Sequence, residues 1–432
     1  MWSKWPARPI HPLQSQEAPS AHQDLQQNNE TFTMNAQTEK INAPISSAEL
    51  ERRWGAVRAA MRERGIDVLL MQANNDFMGG YVKYFTDVPA TNGYCVTVIF
   101  PVDDRMTVIG QGPFNMVREF ENEDDVLRRG VARFMGTPSY ASAHFTAHYD
   151  GQLAEKAMAK YAKANIGLLG VAAISYALID TLKKGPLAHA SFSDASEMVD
   201  QIKCIKSDEE ISFMRQVAKM QDIAMTAVFD QIRPGMTDLQ VAAIAEQVGH
   251  SHGSEQGLFL CASSPIGVPP VFANRHQQNR VIKEGDQFTL LIENSGVGGF
   301  YTELGRTCVL GKASSEMKEE YEFVLKAQKF TASLLRPGAD CADIWQAYNQ
   351  YMRENGRPEE KRLHCHGQGY DMVERPLVRM DESMKIAKNM VLAAHPTYTT
   401  ERTYSWSCDD FLVSDVDASE RLHAFPQKIH EL

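Results

Sequence analysis

Four segments of this sequence carry side chains whose types and spacing could do chemistry. The first is Leu290–Gly311, LLIENSGVGGFYTELGRTCVLG, which reads as two strands joined by a glycine-rich turn. Glu293 lies on one arm and Glu303 on the other, 303 − 293 = 10 residues apart. A turn at Gly296, Val297, Gly298 and Gly299 brings the two acids near each other, because the turn of a hairpin sets its register. Two carboxylates converging on one hollow repel, so the site calls for a proton, a cation or a cationic substrate between them. A surface hairpin with solvated acids is the plain alternative. The second segment, His364–Pro376 (HCHGQGYDMVERP), places His366 before the turn glycines Gly367 and Gly369 and ends in Arg375, whose planar fork suits a substrate carboxylate or a surface salt bridge. The third, Met390–Tyr398 (MVLAAHPTY), is an apolar strand ending in His395-Pro396. The fourth, Ser405–Asp415 (SWSCDDFLVSD), opens a short apolar strand with Asp409 and Asp410, one of which must point inward if the strand is paired. An imidazole beside a carboxylate can activate water near neutral pH. Two carboxylates with His366, His395 and Asp409 would equally make a mixed nitrogen and oxygen site for one transition metal.

The elements that must position these residues fall into two blocks. Ser46 and Ser47 cap a helix through about Arg64, with Leu50, Trp54, Val57 and Met61 at helical spacing and Gly65 as its stop. Ile66–Met71, Tyr94–Phe100 and Met106–Ile109 read as strands, with helices at 151–164 and 173–184 and a strand piece at 166–169. This alternation predicts an α/β domain over 45–200. Asn74, Asn75 and Asp76 form a polar turn within it. Ser207 and Glu210 make a capping box for a long amphipathic helix that opens a second domain over 201–432. That domain holds an internal repeat: IRPGMTDLQVAAI (232–244) resembles LRPGADCADIWQA (335–347), with Pro234 and Pro337 separated by 337 − 234 = 103 residues. An offset one residue shorter, 395 − 293 = 102, sets Glu293 opposite His395. Two similar halves would turn their inner strand ends toward one cavity.

Composition bounds the answer. A chain of 432 residues with 43% hydrophobic residues can bury full cores, and a net charge of −11 argues against nucleic acid or an anionic membrane as the main partner. Seven cysteines without a CxxC pair read as reduced thiols of a cytoplasmic protein. No apolar run reaches a membrane span. Residues 1–44 are rich in Gln, Asn, Ser and Pro and read as a disordered extension.

Taken together, the four segments resemble the creatinase, methionine aminopeptidase and aminopeptidase P family, the "pita-bread" fold, over about residues 45–432. The resemblance rests on a hairpin ending in an acid followed by Leu304-Gly305-Arg306-Thr307, a later His-Gly-x-Gly, a strand ending in x-Pro, and a final acid before a short apolar strand. It implies an α/β (α+β) chain: a creatinase-like N-terminal α/β domain and a pseudo-twofold catalytic domain. In the metallopeptidase members two Asp, one His and two Glu bind two divalent metals. Carried over, the hairpin acids fall on or beside Glu293, where the spacing is one residue shorter than usual, and on Glu303, the histidine on His366 and the last acid on Asp409, while His395 replaces the Glu that normally precedes Pro396. A second family histidine falls on Val373. The upstream one falls on Asn274, with His276 two residues later. Losing a bridging carboxylate at position 395 disfavours a two-metal cluster. The resemblance therefore implies either no metal or a single divalent ion, Mn, Fe or Zn.

The resulting expectation is a homodimeric, creatinase-like hydrolase cleaving the C–N bond of an amide or amidine in a small polar molecule. His366 carries the proton, Glu293, Glu303, His395 and Asp409 complete the catalytic or metal-binding set, and Asn274, His276 and Arg375 contact substrate. A metal-dependent Xaa-Pro aminopeptidase or dipeptidase is the first alternative. A non-catalytic peptide-binding module is the second.

Overall fold

The computed structural model describes residues 44–121, 127–272, 280–415 and 419–432. The expected disordered extension over 1–44 therefore lies outside the described residues, apart from Pro44. The opening helix runs Ser47–Glu63, with Ser46 accepting a hydrogen bond from the Glu49 N–H and Leu50, Trp54, Val57 and Met61 buried on one face. Gly65 ends it at φ +64°, a conformation that costs glycine little. Behind it lies a seven-stranded sheet. Its centre is Val68–Ala73, paired antiparallel to Val96–Pro101 and parallel to Asn165–Leu169. Val131–Thr137 and Ser191–Asp194 extend it on either side. The sequence reading did not include these two strands: Ser191–Asp194 is mostly exposed and polar, and Val131–Thr137 is a half-buried run without a regular alternation.

Asp208–Gln231 is the long second-block helix, and both arms of the Ser207/Glu210 capping box are made. After it, the repeat read from sequence becomes a repeat of hydrogen bonds. In the first half Gly235 N–H donates to Ile282 O and Ile282 N–H to Met236 O, both at 2.8 Å. In the second half Gly338 N–H donates to Ile386 O and Ile386 N–H to Ala339 O, again at 2.8 Å. Each turn leads into a helix, Asp238–Ser251 and Cys341–Glu354, and each half builds one sheet. The first sheet contains Gly257–Pro265, Asp286–Ser295 and Tyr301–Val309; the second contains Cys365–Gly367, Val391–Ala394 and Asp409–Leu412. Leu290, Ile292, Leu304 and Cys308 face one apolar core, and Leu392, Ala394, Phe411 and Val413 another. This is the pita-bread arrangement.

Among the described residues the two sheets meet along one backbone rung. Gly305 N–H donates to Cys408 O at 3.0 Å and Cys408 N–H to Gly305 O at 3.3 Å. A Cβ at position 305 would lie 2.0 Å from the Trp406 ring, so only glycine lets the strands close. Among the described residues no helix is long and apolar enough to cross a membrane.

Candidate active site

The rung that joins the sheets also delivers the site. Alternation on Asp286–Ser295 turns Leu290 and Ile292 to the core and leaves Glu293 on the opposite face. Glu303 is its direct cross-strand partner, so the hairpin register sets the two carboxyls side by side. From the other half, His366 lies on Cys365–Gly367 and His395 follows Val391–Ala394, with His395 N–H donating to His364 O at 2.8 Å. The rings of His366 and His395 are 5.1 Å apart between centroids, and all four side chains are buried.

His366 Nδ1 lies 2.9 Å from Gly367 O, and its Nε2 lies 3.5 Å from Glu303 Oε2. At that separation the contact is electrostatic rather than a well-formed hydrogen bond. Gln368 Nε2 donates to Glu293 Oε1 at 3.3 Å, and Asp410 Oδ2 accepts the Glu303 N–H at 2.8 Å.

Burial acts on all these groups, and their neighbours decide the outcome. Burial alone would raise Glu303, but the contact with His366 and the charges of His395 and His366 bring its carboxyl below the usual range. Burial and then the charges of Glu303 and Asp410 hold Glu293 well above it. Burial likewise raises Asp410, against the bond from the Glu303 N–H. Burial lowers His395 to about 4, with Glu303 opposing. The site therefore pairs two carboxyls that hold their protons more tightly than usual, Glu293 and Asp410, with a Glu303 that ionises more readily and a His395 that stays neutral at neutral pH.

Glu303, His366 and His395 each offer an atom within 4.8 Å of the others, a spacing that could hold one metal ion. Around them Glu303 Oε2, Gln368 Oε1 and Asp410 Oδ1 are buried with no hydrogen-bond partner among the described residues. These are acceptors, and a cation or a donor-rich ligand would satisfy them. Two imidazoles and one carboxylate suit a single transition metal with open positions.

The remaining expected residues are placed differently. Asp409 turns away from the hollow. Its Oδ1 accepts from Arg306 Nη2 at 2.6 Å and Arg421 Nη1 at 3.1 Å, and its Oδ2 from Gln427 Nε2 at 3.0 Å and Gln328 Nε2 at 3.2 Å. It is a structural clamp, and Asp410, its neighbour of opposite facing, is the acid beside Glu303. Arg375 gives its fork to Glu382, with Asp200 3.9 Å away, and so is not poised for a substrate carboxylate. It borders a cavity of about 540 Å³ whose lining includes none of Glu293, Glu303, His366 and His395. Asn274 and His276 lie outside the described residues. Tyr301 anchors the hairpin to the first block, its hydroxyl donating to Asp76 Oδ2 at 2.9 Å while Lys83 Nζ lies 2.6 Å from Asp76 Oδ1. Trp406, Phe272 and Tyr404 form an aromatic wall near Leu291, with Phe272 ring centroids 5.3 Å from Trp406 and 5.7 Å from Tyr404. Sequence reasoning missed Gln368, which the His-Gly-x-Gly pattern leaves unspecified, and could not choose between two adjacent aspartates without the pleat.

Residues 212–415 match the model of metallopeptidase family M24. The chain is 27% identical over 333 residues to the hydrolase/peptidase y4tL of Sinorhizobium fredii, covering 73% of this chain and 79% of that protein. It is 25% identical over 274 residues to a Xaa-Pro dipeptidase of Pyrococcus horikoshii, covering 62% and 76%. It is also 24% identical over 328 residues to a creatinase of a Bacillus species, covering 73% and 74%. In structure it is similar to the X-Pro aminopeptidase of Thermotoga maritima, with a TM-score of 0.72, 18% identity, and 88% of this chain and 99% of that one covered.

Proposed function

We propose that the chain is a hydrolase of metallopeptidase family M24, whose model matches residues 212–415, and that it cleaves the C–N bond of short Xaa-Pro-type dipeptides with one bound divalent metal. The observation that carries the reading is the buried trio Glu303, His366 and His395, whose ligand atoms lie within 4.8 Å of one another. The Xaa-Pro dipeptidase relatives favour this substrate class over the creatinase-like amidine or amide expected first.

An ion held by that trio would supply Lewis acidity at the scissile carbonyl. The chain's own groups do the rest. His395 stays neutral because burial holds its pKa near 4, so it presents a lone pair and not a charge. Glu303 provides the compensating negative charge. Glu293, whose carboxyl is held well above its usual range by burial and then the charges of Glu303 and Asp410, stands beside the hollow and can deliver a proton to the departing amine as water adds to the carbonyl and the C–N bond breaks. Gln368 holds Glu293 by Oε1 and fixes its direction. Loss of the bridging carboxylate at position 395 supports one ion in place of two.

The test is metal content together with turnover of Gly-Pro and Ala-Pro by the purified protein. About one Mn, Fe or Zn per chain, and hydrolysis that stops on chelation and returns with metal, is the expected result. His395→Ala should lose both. Turnover of creatine or a related amidine that survives chelation would instead establish the second reading, a metal-free hydrolase in which His366 and Glu303 alone move the proton. The 3.5 Å approach of His366 Nε2 to Glu303 Oε2 favours that pair.

A further inference from the structure

We infer that His423 and Gln221, two buried residues outside the trio, are positioning residues for Glu303: with Asp410 they close a ring of hydrogen bonds on the peptide group between Thr302 and Glu303, and so fix the direction in which the Glu303 carboxyl offers its oxygens to a metal ion. The inference rests on the reading above that Glu303, His366 and His395 hold one divalent ion, and it names the residues that set the first of them.

The ring can be followed atom by atom. The Glu303 N–H donates to Asp410 Oδ2 at 2.8 Å, and the Asp410 N–H donates to His423 Nδ1 at 3.4 Å. His423 Nε2 lies 2.9 Å from Gln221 Oε1. Gln221 Nε2 donates to Thr302 O at 2.6 Å, and that carbonyl belongs to the same peptide group as the Glu303 N–H. The Gln221 amide also donates to Asn294 Oδ1 at 2.9 Å, and Asn294 is the cross-strand partner of Thr302, one rung from the Glu293 and Glu303 pair. His423 is itself held in place. The Leu422 N–H donates to Asp410 O at 2.9 Å, and Asp222, next to Gln221, accepts the Ala424 N–H at 2.7 Å and the Phe425 N–H at 3.0 Å. Both arms of the hairpin, the helix Asp208–Gln231, the strand Asp409–Leu412 and the segment after Arg421 are thereby tied at one place.

The geometry also fixes the protons of the ring. A backbone carbonyl only accepts, so the Gln221 atom facing Thr302 O is the NH2 and the atom facing His423 is the amide oxygen. His423 must then carry its proton on Nε2 and turn the Nδ1 lone pair to the Asp410 N–H. Burial pulls its pKa down to about 3 against the opposing charge of Asp409, so the ring stays neutral and keeps this tautomer. Both residues are buried, which strengthens each bond and makes each expensive to leave unmade. Outer partners of this kind orient the groups that touch a metal.

The experiment reads the ring directly and then its effect on an ion. Hydrogen exchange is followed by mass spectrometry on peptides containing Glu303 in the metal-free full chain, and Mn(II), Fe(II) and Zn(II) are titrated calorimetrically into the same samples. The samples are wild type, His423→Leu, His423→Asn, His423→Gln, Gln221→Met and the double variant of His423→Leu with Gln221→Met. Asn returns an acceptor to the place of Nδ1 and Gln a donor to the place of Nε2, so each restores one link. His423→Leu and Gln221→Met should each speed exchange at Glu303 about 10-fold, leave the strand Val68–Ala73 as protected as in wild type, and weaken metal binding about 10- to 100-fold. His423→Asn and His423→Gln should each recover part of both effects. The double variant should lose little more than either single one, because a ring opened once is already open. Exchange that rises equally in Val68–Ala73, losses that multiply in the double variant, no recovery in either conservative variant, or exchange and metal affinity unchanged from wild type would overturn the assignment. If exchange responds as expected but the wild type binds none of the three ions, the one-metal reading fails and the ring stands as the device that sets Glu303.

Discussion

Glu293 and Glu303 share one rung of a hairpin, yet the first carboxyl is held well above its usual range and the second below it. Glu293 binds its proton more tightly folded than unfolded, so its contribution to stability is full below the unfolded value of 4.5 and is lost as pH rises through the folded value. Glu293→Gln cannot ionise; in the metal-free protein it should raise Tm near neutral pH and leave Tm at acidic pH almost unchanged, as a calorimetric pH series would show. His395 works in the opposite sense. Its pKa falls from 6.5 to about 4, so its stability is present above 6.5 and is lost as pH falls toward 4. That loss is on the order of 3 kcal/mol, and His395→Gln should flatten the acid limb of the same series. Asp409 and Asp410 should separate by readout. Asp409→Asn weakens the clamp on the fully buried Arg306 and should cost about 3–5 kcal/mol in urea unfolding. Asp410→Asn should keep most of the stability and alter turnover.

At the scale of elements, the site depends on how closely two sheets can approach. Gly305 and Cys408 exchange both backbone hydrogen bonds, and the Trp406 ring occupies the space a Cβ at 305 would need. Gly305→Ala should therefore destabilise the protein by about 1–3 kcal/mol through overpacking. It should also lower activity at temperatures where the chain remains folded, because Glu303 and Asp410 lie two residues from that contact on either strand. The measurement is Tm together with kcat/KM. A variant with unchanged Tm and activity would mean that the sheets meet more loosely than the Gly305–Cys408 bonds require.

At the scale of the whole molecule, the two blocks are joined by buried charges as well as by apolar surface. Arg53, on the first helix, donates to Glu210 of the capping box at 2.7 Å and to Tyr370 beyond the His-Gly-x-Gly turn at 3.2 Å. Lys203 contacts Asp371 at 2.6 Å and Glu374 at 2.7 Å, and Lys206 also contacts Glu374. Removing one partner leaves another buried charge uncompensated. Arg53→Met should cost about 3–5 kcal/mol in denaturant unfolding, with the loss reduced when Glu210 is changed to Gln in the same chain. Additive losses in that double variant would mean that the pair does not couple the blocks.

The sequence by itself determined the duplicated Arg-Pro-Gly turns, the capping box at Ser207 and Glu210, the hairpin that pairs Glu293 with Glu303, and the two histidines from the second half. Each is a local or regularly spaced signal: turn chemistry, a cap at fixed offset, a two-residue alternation. Only the tertiary structure decided that Asp410 and not Asp409 stands beside Glu303 and that Arg375 is taken by Glu382. Adjacent strand residues point to opposite faces, and a charged side chain's partner is set by whatever the fold brings alongside it. Neither can be read from residue type and spacing alone.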